Sequence, residues 1–292
     1  MENYHYCDAD AFLSIIKNKE LWLSDLRNVN DPHELKSAPV IIKQKFESVF
    51  PTSKYKYPID LDSPSSTFFS LSLSKEADLL SQWRAYSRNG TGFQIGIDVD
   101  ALKACNLTHK TGVPVNYRGA VGVPLFEVSE VLYEEEEFST LIENKLKRFL
   151  KEYQVPFESE SRGLKLSDVF LIEDLIKDRC LLKHRFYEEE KEVRVFLHMD
   201  YQWIEETDFY RNSSLKGPLP QFRVNNIGLI PYVAISIFNT ELDIQAVKSI
   251  KLGPNNNSRI EDVDMFLKIN GFKDVHVSRS VSVRRSQVDA PI

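Results

Sequence analysis

Apolar residues in this chain recur with two different periods, and the changes between them mark the elements. "NYHYC" (Asn3 to Cys7) reads as a strand, and Asp8 or Asp10 can cap a helix in which Phe12, Leu13 and Ile16 follow helical spacing. "LWLS" (Leu21 to Ser24) is a second short strand. "TFFSLSLS" (Thr67 to Ser74) alternates with period two, so Phe69, Leu71 and Leu73 share one face and Phe68, Ser70 and Ser72 the other. A helix over about residues 75–88 stops at Asn89-Gly90 and is followed by the strand "GFQIGIDV". Strand patterns resume at "EVRVFLHM", "IGLIPYVAISIF", "IKLGP" and "DVHVS", with a helix from near Ser258 to Asn270-Gly271 before the last.

Between residues 127 and 182 the chain is Glu-rich, charged and helical, with Val169, Ile172, Ile176 and Cys180 on one stripe. We read it as a helical insertion or cap within a single domain spanning residues 1–292. Strands and helices alternate without a regular βαβ rhythm. The expected class is therefore α+β, with short mixed or antiparallel sheets and flanking helices. Residues 51–66 form a Pro/Ser-rich loop, and "NVNDPHE" predicts a rigid turn built on Asn30, Asp31 and Pro32, with Glu34 beside it.

Composition narrows the function classes. The 292 residues are 42% hydrophobic with a net charge of −6, which suits a folded domain and argues against broad electrostatic binding to nucleic acid. No run approaches the roughly 18 apolar residues of a membrane span. The N-terminal segment lacks the pattern of a signal peptide. Cys7, Cys105 and Cys180 are odd in number and form no CxxC pair, which leaves no metal site in view and points to a reducing cytoplasm.

Two constellations carry chemistry. In "EEEKEVRVF", a strand would place Glu190, Glu192 and Arg194 on one face and Val193, Val195 and Leu197 on the other. Such a face is either a catalytic row or a solvated strand with a weak ion pair. In "LLSQWRAYSRNGTGFQIGI", Trp83 and Tyr86 lie three apart on a helix, either as core residues or as an aromatic wall. Gly90-x-Gly92 precedes a strand, so it is not a dinucleotide fingerprint. Cys7 and His5, two residues apart on one strand face, are a further candidate nucleophile pair.

Taken together, "YHYCDADAFLSIIKNKELWLSDLRNVNDPHE", "FFSLS", "LSQWRAYSRNGTGFQIGID", "EEEKEVRVF" and "SIKLGP" with "SRSVSVR" resemble the bacterial family known as domain of unknown function 2971. A more distant likeness is to ADP-ribosyltransferases. That likeness implies an ADP-ribosyltransferase-like fold and NAD as substrate. It implies that His5 on the first strand orients NAD and that Phe69 and Ser70 form the second element. Glu192 would be the catalytic glutamate and Glu190 the group that activates the acceptor. Tyr6, Trp83 and Tyr86 have no counterpart in that likeness and are candidate nucleotide contacts as aromatics alone, while Arg194 either binds diphosphate or holds Glu192 ionised. The function so implied is an NAD-consuming transferase or glycohydrolase, a toxin or phage-defence effector, whose acceptor (protein, nucleic acid, small molecule or water) is open. The competing expectation is a non-catalytic nucleotide-sensing or partner-binding module. Under the first, His5, Ser70 and Glu192 should converge on one cleft.

Overall fold

The computed structural model describes residues 2–28, 35–50, 66–107, 125–153, 166–200, 220–225 and 228–282. The Asn30-Asp31-Pro32 turn with Glu34 and the loop at 51–65 lie outside them. The strands are β1 (Glu2–Cys7), β2 (Glu20–Asp25), β3 (Ser66–Ser74), β4 (Phe93–Asp98), β5 (Glu127–Glu130) and β6 (Glu192–Asp200). They continue with β7 (Gln221–Asn225), β8 (Gly228–Ser236), β9 (Phe238–Asn239), β10 (Ile244–Gln245), β11 (Val247–Leu252) and β12 (His276–Arg279). The helices are α1 (Ala9–Asn18), α2 (Ser37–Val49), α3 (Leu80–Tyr86), α4 (Val99–Cys105), α5 (Glu135–Tyr153), α6 (Leu166–Asp178) and α7 (Ile260–Ile269).

The chain is a mixed α/β structure on an open sheet of ten strands, with β9 and β10 forming a separate two-stranded pair. This departs from the several short sheets that the pattern predicts. Alternation reports which face of a strand is buried but not how many strands share one hydrogen-bonded ladder. Among the described strands all the pairs are antiparallel except β11 with β12.

The sheet branches at β3. One edge of β3 pairs with β6 along its whole length, from Ser66 opposite Asp200 to Ser74 opposite Glu192. The other edge is shared. β1 meets it at Tyr4 opposite Ser74, while β2 meets it at Ser70 and Phe69. Two arms therefore leave β3, one running β1-β4-β11-β12 and the other β2-β8-β7. Helix α1 connects β1 to β2 across the gap between the arms. Its start is fixed by the Asp8 carboxylate, which accepts from the Ala11 amide at 2.8 Å.

The alternation of β3 and β6 divides two cores. Phe69, Leu71 and Leu73 join Val193, Val195 and Leu197 in one cluster with Phe12, Ile15 and Ile16 of α1. Phe68 and Phe196 belong to the other, with Ile42 and Phe46 of α2, Phe138, Ile142 and Leu146 of α5, and Leu175 of α6. The segment read as a helical insertion opens instead on a strand, because Glu127–Glu130 pairs with β6 as β5. Its helices α5 and α6 then join α2 to cover the second core, with Leu171 and Leu175 more deeply buried than Ile172 and Ile176. A bridge between Leu132 and Leu182 clamps the two ends of this segment together.

Helix α3 is shorter than its pattern predicts. The amides that would extend it are taken by tertiary partners. Lys75 N–H donates to the Lys191 carbonyl and Leu79 N–H to the Tyr6 hydroxyl. Asp78 is left-handed at φ 60°. Its carboxylate accepts from Trp83 Nε1 at 2.8 Å and from the Val281 amide at 2.9 Å, and Ser280 Oγ also donates to it. The start of α3 is thereby pinned to the chain's last described residues.

Candidate functional site

Strand β6 begins at Glu192, not before it. Lys191 sits in the left-handed region at φ 47°, and Glu190 ends a 3-10 turn over Arg185–Glu190. Glu190 therefore does not share the strand face of Glu192 and Arg194, contrary to the period-two reading. That face is also not solvated: Glu192 is 2% exposed and Arg194 1%. The strand is paired on both edges and its outer face lies under the second core, which the pattern of one strand does not report.

The two glutamates nevertheless meet, through a residue that the sequence reading missed. Lys183 Nζ bonds Glu190 Oε2 at 2.7 Å and Glu192 Oε2 at 2.9 Å. The Leu132–Leu182 bridge holds it there, since Lys183 N–H donates to the Leu132 carbonyl. Glu192 Oε1 accepts from Ser72 Oγ at 2.6 Å and from Arg194 Nε at 2.8 Å. Arg194 Nη1 donates to the Cys180 carbonyl at 2.5 Å. The Tyr86 hydroxyl donates to Glu190 Oε1 at 2.7 Å, and the Tyr133 hydroxyl accepts from the Glu192 amide.

Two carboxylates and two cations thus form a buried, charge-balanced cluster. Burial pushes the Glu192 carboxyl upward, but Arg194 and Lys183 with the hydrogen bonds from Arg194 and Ser72 outweigh it and hold the group at about 2. Burial pulls Lys183 down, and the two glutamates reverse this and raise it. Tyr86 is pushed up by burial and by Glu190. Glu192 stays ionised across the physiological range.

The cluster forms one side of a cleft of about 350 Å³ that opens where β1 and β2 part from β3. Ser70, Ser72, Tyr86, Lys183 and Arg194 line that side, Trp22 and Arg223 line the other, and His5 lies between them. Glu192 itself lies behind the wall, bonded to Ser72, Lys183 and Arg194. His5 Nδ1 faces the Ser72 carbonyl at 3.4 Å. Burial of the ring lowers its pKa below the usual 6.5, against the opposing pull of that carbonyl.

Three of the expected nucleotide contacts lie elsewhere. Phe69 is fully buried on the core face of β3, opposite Ser70. Trp83 is 1% exposed and packs edge-on against Tyr6 with ring centroids 4.9 Å apart. The Tyr6 hydroxyl is spent on the Glu76 carbonyl and the Leu79 amide. Aromatics at helical or strand spacing are more often core than ligand wall. Cys7 is likewise in the core, its thiol pushed far up by burial, which removes a Cys/His nucleophile pair. Gly92 has a packing reason: a Cβ there would lie 2.0 Å from the Cys7 carbonyl oxygen.

Of the residues missed, Lys183 left little trace, being one of several basic residues that flank the apolar run Cys180-Leu181-Leu182. Arg223 left none. Residues 82–195 match the model of a family described as a protein of unknown function, DUF2971. No curated protein and no solved structure matches the chain. The DUF2971-like segment runs from α3 to β6 and contains Tyr86, Lys183, Glu190, Glu192 and Arg194. It leaves out His5, Ser70, Ser72 and the whole β2-β8-β7 arm. Among the described residues no helix is long and apolar enough to cross a membrane. Nor does any group of three or more His, Cys, Asp or Glu side chains among them form a metal-holding cluster.

Proposed function

We propose that the cleft binds NAD and breaks its nicotinamide–ribose bond, handing the ADP-ribosyl group to an acceptor or to water. The observation that supports this reading is an ionised glutamate directly behind the wall of a cleft lined by His5, Ser70, Ser72 and Tyr86. As the C–N bond breaks, its electron pair leaves with nicotinamide and positive charge grows on the ribose. A fixed carboxylate lowers the energy of that state more than that of the bound substrate. In this scheme a ligand's anionic group draws Lys183 away and frees Glu192 Oε2 toward the cleft. Glu190 takes the acceptor's proton as the new bond forms, and His5 orients the nicotinamide or a ribose hydroxyl.

A second reading has its own support. Both Glu192 oxygens are already bonded, and only 2% of the residue is exposed. A cluster so satisfied suits a module that binds a nucleotide without turning it over.

Nicotinamide release from NAD, measured on the wild type beside Glu192→Gln, Glu190→Gln and Ser72→Ala, separates the two. Turnover that falls several hundred-fold in Glu192→Gln, equivalent to about 3–4 kcal/mol, supports the enzyme. Glu190→Gln should keep release into water while losing transfer to an acceptor. Saturable NAD binding with no release by the wild type refutes the enzyme and favours the module.

A further inference from the structure

The two sides of the cleft differ in charge balance. On the β3–β6 side each cation has a carboxylate against it. On the other side, Arg223 of β7 reaches over β2, where its Nη2 donates to Ser24 Oγ at 3.0 Å. Its guanidinium carbon lies 5.8 Å from the centre of the Trp22 ring, and Trp22 in turn stacks on Tyr232 at 4.4 Å. Among the described residues Arg223 has no acidic partner, and its Nε is buried without any hydrogen bond. Glu20 also lines the cleft and lies two residues from Trp22 on the same strand, yet it makes no ion pair with Arg223.

A guanidinium has five donors, and burying one unpaired is unfavourable unless something else requires the position. Arg223 is held on the arm by Ser24 and lies beside the Trp22 ring, and a guanidinium fork suits phosphoryl oxygens better than a flexible ammonium does. We propose that Arg223, rather than Arg194, is the phosphate-binding residue of the cleft, and that the ligand carries a phosphoryl group lodged on the β2–β7 arm. Arg194 is spent on Glu192 and the Cys180 carbonyl. This inference rests on the cleft being the ligand site, as in the reading above, but not on turnover. It also gives the β2-β8-β7 arm, which lies outside the DUF2971-like segment, a recognition role.

The test is calorimetric titration of the full chain with ADP-ribose, inorganic pyrophosphate and nicotinamide. It uses the wild type, Arg223→Gln, Arg223→Lys and Arg194→Gln, with thermal melting as the check on folding. We expect ADP-ribose binding to weaken roughly 10- to 100-fold in Arg223→Gln and by less in Arg223→Lys. Higher salt should reduce that difference, and nicotinamide binding should not change. Binding of ADP-ribose by a folded Arg223→Gln as tightly as by the wild type overturns the proposal. So does a wild type that binds neither ADP-ribose nor pyrophosphate at millimolar concentration. Absence of NAD turnover alongside Arg223-dependent binding would sink the enzyme reading and leave this one standing.

Discussion

The buried charge cluster makes a quantitative demand on stability. In Glu192→Gln the shape is nearly kept but one negative charge is removed, leaving Lys183 and Arg194 opposed by Glu190 alone. A carboxyl held at about 2 instead of its ordinary 4.5 represents roughly 3 kcal/mol of folding free energy at neutral pH. Stranding a buried cation costs a similar amount, about 3–5 kcal/mol. The sign follows from the depressed value. The contribution is fully present above the carboxyl's unfolded pKa, and it is lost as pH falls from about 4.5 toward 2. Urea unfolding at pH 7 and pH 3, followed by two probes to check two-state behaviour, is the assay. The variant should be about 3 kcal/mol less stable at pH 7, a melting shift of roughly 6–12 °C. By pH 3 the gap should shrink to less than about half that, because the wild-type carboxylate is then losing its advantage. Carboxylates outside the cluster titrate alike in both proteins and cancel. Equal stability at pH 7, or a gap that persists unchanged into acid, would refute the view of Glu192 as the ionised centre of the cluster.

Two further outcomes follow. The His5 ring should titrate below 6.5 by NMR, and its stabilising effect should fade as pH drops through that value, since the unfolded chain takes up the proton first; a pKa at or above 6.5 would contradict its burial. Asp78→Ala should cost about 1.5–3 kcal/mol by removing the acceptor shared by Trp83 and the segment Ser280–Val281, and hydrogen exchange should speed up at the Val281 amide, whose unchanged protection would show that the segment is held by other contacts.

Much of the local structure was legible in the sequence because it depends on neighbours along the chain. The alternation in "TFFSLSLS" separated Phe69, Leu71 and Leu73 from Phe68, Ser70 and Ser72, and each group lies on its own side of β3. Asp8 capped its helix, and the residues of "EVRVF" divided between two faces as period two requires. What the sequence could not carry was what lies above each face. The Glu192–Arg194 face reads the same whether it meets water or protein, and only the return of the chain through Cys180 and Lys183 over it made it buried. The alternation also ran on through Glu190, because no local rule predicts that Lys191 turns left-handed and starts the strand one residue later. Lys183 and Arg223 reach the cleft by long-range contacts, the first through the Leu132–Leu182 bridge and the second across β8 to Trp22. Such positions are set by the path of the whole chain. Residue periodicity could name candidates for the site, but the branching of the sheet at β3 decided where the cleft opens and which charges face it.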